Sequence, residues 1–114
     1  MTTIRVLPLN ADIEAAPEAT IMAAAQALGF YWPTTCGGEG RCTTCACEIV
    51  EGASALAPMG RSEQKVLIDE RGPSVLRTSL RLACQARVRG DAIVIVRKTG
   101  VLPPQPRAQH DIPA

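Results

Sequence analysis

An α+β domain is predicted for this 114-residue chain, on three observations. Stretches rich in Ile, Val and Leu stand near both ends, and two helices bounded by cap and stop signals lie between them. A glycine-punctuated loop without hydrophobic period separates the first helix from the next strand. The length suits one domain that buries roughly two-thirds of its unfolded surface. Residues 1–100 are expected to form that domain, with 101–114 as a proline-rich C-terminal tail.

Thr2 to Leu9 alternates loosely and reads as a first strand, turning at Asn10 into a short second strand over Asp12 to Ala16, which Pro17 ends. Thr20 is a suitable N-cap for a helix through Leu28, and Gly29 stands at the C-cap position. Its interior is nearly all apolar, so burial against a sheet is expected. Pro33 to Arg41 reads as an irregular loop because Gly37, Gly38 and Gly40 break it. Ala46 to Glu51 returns to strand character. Beyond Pro58 and Gly60, Ser62 is the expected cap of a second helix that ends near Arg71, with Gly72-Pro73 as the stop. Leu82 to Arg89 and Ala92 to Lys98 flank Gly90-Asp91 and are expected to pair as a closing hairpin. Past Gly100 the proline-rich stretch, which includes His110, reads as a tail, either mobile or draped over the body.

Only Phe30, Tyr31 and Trp32 are aromatic, so Ile, Val, Leu and Ala must fill the interior. The three aromatics precede the glycine loop, where core packing or loop anchoring accounts for them better than electron conduction. Charge is uneven along the chain. Residues 1–57 carry six carboxylates against two arginines, and residues 58–114 carry ten Lys or Arg against five acids. That asymmetry suits either a docking dipole or an ordinary solvated surface. Nucleic acid is not indicated, since the basic residues are scattered with no stacking platform between them. No run approaches the roughly 20 apolar residues of a membrane helix, and the opening Met1-Thr-Thr-Ile-Arg5 does not resemble a secretory leader. A soluble, cytoplasmic monomer is the expectation.

Five cysteines, an odd number, argue against a disulfide framework and for ligated thiolates. Five residues separate Cys36 from Cys42, two separate Cys42 from Cys45, and Cys84 arrives after 38 more. Three thiolates in one loop with a fourth brought in by the fold can wrap a two-iron, two-sulfide (2Fe-2S) cluster, whose irons are tetrahedral and need four protein sulfurs. Gly37, Gly38 and Gly40 let backbone amides approach those sulfurs closely, and Thr35, Thr43 and Thr44 offer hydroxyls. Structural zinc fits less well, because only Cys42 and Cys45 form a short knuckle. A thioredoxin-like pair at Cys42 and Cys45 leaves Cys36 unexplained. A Rieske centre needs two histidines, and His110 is the only one. Cys47 is the surplus thiol, read as a small packed side chain or, less simply, as a substitute ligand for Cys45.

Cys36-Gly-Gly-Glu-Gly-Arg-Cys42-Thr-Thr-Cys45 followed by Leu82-Ala-Cys84-Gln-Ala-Arg-Val88 resembles the adrenodoxin-type branch of the 2Fe-2S ferredoxins. With the order of elements, the resemblance covers about residues 2–98. It implies a β-grasp fold in which a sheet cradles the helix and a cluster-binding loop follows. It further implies that Cys36 and Cys42 hold the outer iron and Cys45 and Cys84 the inner one. The implied role is a one-electron carrier that is not itself an enzyme. It would run from an NAD(P)H-dependent flavoprotein ferredoxin reductase to an oxygenase, either a haem-thiolate monooxygenase or a ring-hydroxylating Rieske system. Electron supply to iron-sulfur cluster assembly fits the same residues. A non-redox zinc-binding interaction module is the alternative of another class. In the resembled family, carboxylates on the second helix help dock partners, which here nominates Glu63, Asp69 and Glu70. Arg61, Lys65 and Arg71 interleave with them, so helix-surface ion pairs explain the same residues.

Overall fold

The computed structural model describes residues 2–34 and 44–104. Five strands and two helices follow one another as β1 (Thr2–Leu7), β2 (Ala11–Ala15), α1 (Ile21–Ala27), β3 (Ala46–Glu51), α2 (Arg61–Arg71), β4 (Leu80–Leu82) and β5 (Ile93–Arg97). The sheet runs β2-β1-β5-β3-β4, with β1 and β5 parallel and every other neighbouring pair antiparallel. This mixed sheet with its packed helix is the β-grasp arrangement.

Alternation builds the core. On β1, Thr2, Ile4 and Val6 are fully buried while Thr3, Arg5 and Leu7 are partly exposed, as a period of two requires. Ile13 of β2 and Val94 and Val96 of β5 add to the same apolar layer. Thr20 caps α1, its hydroxyl accepting from the Ala23 amide at 3.1 Å. Ile21, Met22, Ala24 and Ala25 face the interior. Leu28 is 48% exposed, so the helix is buried on one side rather than all round. The α2 cap is Gly60 rather than the expected Ser62. Pro73 opens a short 3-10 turn beyond the helix.

The expected closing hairpin does not form. Instead β5 inserts between β1 and β3, and residues 83–88 run as a turn and bridge segment between two other parts of the chain. Ile21 and Met22, whose amides lie in the first turn of α1 and have no partner within the helix, donate to the carbonyls of Ala86 and Ala83. On the other side, Ala57 donates to the Arg87 carbonyl and Arg89 to the Ala55 carbonyl. Backbone demand along 83–89 is met there, which leaves β5 free to occupy the sheet centre.

Two contacts fix this assembly. Gly52 has φ +87, and a Cβ there would lie against the Ile93 carbonyl oxygen and 2.9 Å from the Val94 Cα. Glu63, only 3% exposed, forms a two-pronged pair with Arg81 at 2.7 and 3.1 Å and also accepts the Leu82 amide at 2.9 Å. Arg81 reaches the Ala57 carbonyl as well, at 3.1 Å. The pair ties α2 to β4 and to the turn before the helix. Glu63 is thus withdrawn from the surface on which a docking carboxylate must stand. Asp69 and Glu70 are exposed, and Asp69 pairs with Lys65 one turn away at 3.1 Å.

Past β5, Val101 is buried and Leu102 exchanges two backbone hydrogen bonds with Tyr31, at 3.0 and 3.1 Å. Residues 101–104 therefore lie along the segment after α1, and 105–114 fall outside the described residues.

Gly52→Ala is expected to destabilise the protein by on the order of 1–3 kcal/mol from backbone strain alone, read as a lower urea midpoint. Glu63→Ala leaves the largely buried Arg81 charge with no carboxylate and only the Ala57 carbonyl, and a loss of roughly 3–5 kcal/mol is expected. The double replacement Glu63→Leu with Arg81→Met should recover only part of it in the same titration, because the Leu82 amide still lacks its acceptor.

Candidate metal centre

Pairing of β3 with β4 places the cysteines that flank these strands. The register sets Ala46 opposite Leu82, Cys47 opposite Arg81 and Glu48 opposite Leu80. Continued by one step, it puts Cys45 across from Ala83, with Cys84 next along. Cys84 sits in a turn just after β4, not ahead of a strand, and that turn is closed by Gln85 and Ala86 both donating to the Leu82 carbonyl at 2.9 Å.

The outcome is a buried sulfur pair. Cys45 Sγ and Cys84 Sγ are 3.4 Å apart, and the two residues are 0% and 7% exposed. A disulfide would need about 2.05 Å. Two thiolates sharing one tetrahedral metal ion, with bonds near 2.3 Å, sit roughly 3.7 Å apart. The observed spacing therefore suits joint ligation of one ion, and the donor set fits a soft, thiolate-bound iron.

Contacts from three described residues, Trp32, Lys98 and Gln85, help to hold this pair. Trp32, 1% exposed, donates its indole Nε1–H to the Cys45 carbonyl at 3.0 Å, which fixes the backbone at the end of the glycine loop. Lys98 Nζ donates to the Thr44 carbonyl at 2.6 Å, one residue earlier. Gln85 Nε2 donates to the Cys84 sulfur at 3.6 Å. Of the three neighbouring aromatics, Trp32 is thus a loop anchor, while Tyr31 is 55% exposed. No local signal marked the Lys98 and Gln85 contacts, which depend on residues brought together by the fold.

Cys47 is separate from the pair. It is 1% exposed, and burial pushes its thiol up to about 12 despite the nearby charges of Lys98 and Arg81. Burial thus favours its protonated form, and it packs in the core apart from the Cys45–Cys84 pair. Cys36 and Cys42 lie outside the described residues, as do Gly37, Gly38, Gly40, Thr35, Thr43 and His110. The expected four-sulfur set is therefore seen here at two of its members, Cys45 and Cys84. Among the described residues, no helix is long and apolar enough to cross a membrane.

Comparison with known proteins bears on the whole set. The model of the 2Fe-2S iron-sulfur cluster binding domain matches residues 4–89. The chain is 32% identical over 96 residues to 2Fe-2S ferredoxin-5 of Aquifex aeolicus, covering 84% of this chain and 97% of that one. It is 34% identical over 88 residues to the 2Fe-2S ferredoxin of Escherichia coli K12, covering 77% of each. In structure it is similar to the ISC-like 2Fe-2S ferredoxin of Pseudomonas putida, with TM-score 0.66 and 22% identity over 93% of this chain and all of that one. It is also similar to an Amycolatopsis cytochrome P450 reductase, with TM-score 0.70 and 23% identity over 92% of this chain but 28% of that one. These last two likenesses speak for the fold. The family match decides between iron-sulfur and zinc, and the zinc module falls. With a buried thiol pair at metal-sharing distance and relatives of matching length, the chain belongs to the 2Fe-2S ferredoxins, electron carriers built around a 2Fe-2S cluster.

Proposed function

We propose that Cys36, Cys42, Cys45 and Cys84 hold the cluster, and that the chain is an adrenodoxin-type ferredoxin acting as a cytoplasmic monomer. It takes single electrons from an NAD(P)H-dependent flavoprotein ferredoxin reductase and delivers them to an oxygenase, either a haem-thiolate monooxygenase or a ring-hydroxylating Rieske system. It makes and breaks no substrate bond itself. The observation that carries the ligand assignment is the 3.4 Å approach of the Cys45 and Cys84 sulfurs. The first cysteine gap of five residues supports the adrenodoxin-type subgroup, as do the Cys84-Gln85 pair and its neighbours. Support for the reductase comes from the Amycolatopsis cytochrome P450 reductase, about a quarter of whose length has this fold.

Each part of the chain has a distinct task in that role. When bound, the cluster supplies a one-electron couple between its diferric and mixed-valence states. Cys45 and Cys84 would hold it from inside the fold, where they are buried from water. Trp32 and Lys98 anchor the backbone around Cys45, which would limit how far that ligand could move on electron transfer. Asp69 and Glu70 remain as the exposed α2 carboxylates available to a partner, and Glu63 is not.

The first test is a visible spectrum of anaerobically purified protein before and after dithionite, with iron and sulfide assayed on the same sample. A brown protein that bleaches, with about two irons and two sulfides per chain, is expected. Cys84→Ser should lose or badly destabilise the cluster, while Cys47→Ser should retain wild-type absorbance and iron content. A normal cluster spectrum in Cys84→Ser would remove that residue from the ligand set.

A further inference from the structure

We propose that Gln85 sets the reduction potential of the cluster through its side-chain amide, which donates a hydrogen bond to the Cys84 sulfur. The proposal rests on Cys84 being a ligand, as above. Three observations carry it.

The contact itself is direct: Gln85 Nε2 lies 3.6 Å from Cys84 Sγ, within the reach of an N–H···S hydrogen bond. The residue is also held in place at its backbone. Its amide donates to the Leu82 carbonyl, and the next residue is fixed by the Ala86 amide on Leu82 and the Ile21 amide on the Ala86 carbonyl. Only side-chain torsions remain to be ordered, and the sulfur orders them. Finally, Gln85 lines a surface cleft that Cys84 does not. That cleft, of about 340 Å³, is also lined by Pro58, Gly60, Arg61 and Arg87, while Cys84 is 7% exposed.

The sign of the effect follows from charge. Reduction adds one electron and no proton, so the cluster and its thiolates become more negative by one unit. A donor aimed at a ligand sulfur stabilises the more negative state more, and hydrogen bonds to the sulfurs are among the determinants of cluster potential. Gln85 therefore raises the potential. Because the amide is neutral, its influence comes through one oriented hydrogen bond and not through net charge, which salt would screen.

Gln85→Leu removes the donor and keeps similar bulk. Gln85→Glu keeps the shape and replaces the donor with an acceptor. Spectroelectrochemical titration, with dithionite as the one-electron reductant, should find the Leu variant at full cluster content. Its one-electron equilibrium should be shifted about threefold to tenfold toward the oxidised form, which is roughly 30–60 mV lower at 59 mV per tenfold. The Glu variant should shift at least as far in the same direction, and Gln26→Leu, on the exposed face of α1, should not shift. Wild-type potentials in fully loaded Leu and Glu variants would overturn the proposal. So would loss of the cluster from both, which would make Gln85 a folding residue. A wild-type protein without cluster absorption would instead overturn the functional reading beneath it, and the two failures are distinguishable on the same samples.

Discussion

Two sulfurs on segments 39 positions apart meet at 3.4 Å inside the protein, and the β3–β4 register is what brings them there. A slip of one residue in that pairing would turn every β4 side chain to the opposite face, carrying Cys84 away from Cys45. The strand β4 has only three residues, too few to hold its register by ladder bonds alone. The Glu63–Arg81 pair supplies the missing constraint. It fastens a β4 side chain and the Leu82 amide to a helix, so the strand can seat only one way. This largely buried ion pair thus lies three residues from a proposed ligand rather than at a partner surface.

Around that point the molecule solves a backbone problem twice with one segment. The first turn of α1 has amides without helical acceptors, and the turn around Cys84 has carbonyls without a strand partner. Each meets the other's need, through Ile21, Met22, Ala83 and Ala86. The Cys84 turn is therefore braced by the helix start, while Trp32, downstream of the same helix, braces Cys45. Helix α1 and its flanks position both members of the sulfur pair without contributing a ligand.

Much of this was legible in the residues themselves. The first two strands, the Thr20 cap and β3 are marked by local signals of period, cap chemistry and turn residues, and local structure followed them. The closing hairpin does not form because Gly90-Asp91 between two apolar runs is only a short-range turn signal, whereas the partners of β5 are β1, some 90 residues earlier in the chain, and β3. Ser62 outranks Gly60 as a cap by side-chain chemistry, yet the chain enters α2 two residues sooner. Glu63 shares the interleaved charge pattern of Lys65 and Asp69, and sequence spacing does not distinguish the buried member of such a helix from the exposed ones. The cysteine spacing pointed to the pair that the structure brings together, but the amide on the Cys84 sulfur and the lysine on the Thr44 carbonyl come from tertiary packing, which leaves no periodic trace.

The position of β5 also has a consequence for how the protein is made. The strand at the middle of the sheet is the last of the five to leave the ribosome, and β1, the first, has to wait for it with only β2 as a neighbour. All five cysteines emerge before the sheet has its centre. A chain stalled short of residue 93 would present thiols and half-paired strand edges together, a state prone to aggregation. Lys98, which holds the Thr44 carbonyl, belongs to the same late segment, so that contact forms only once β5 is in place, whereas the Trp32 and Glu63 contacts need nothing beyond residue 82.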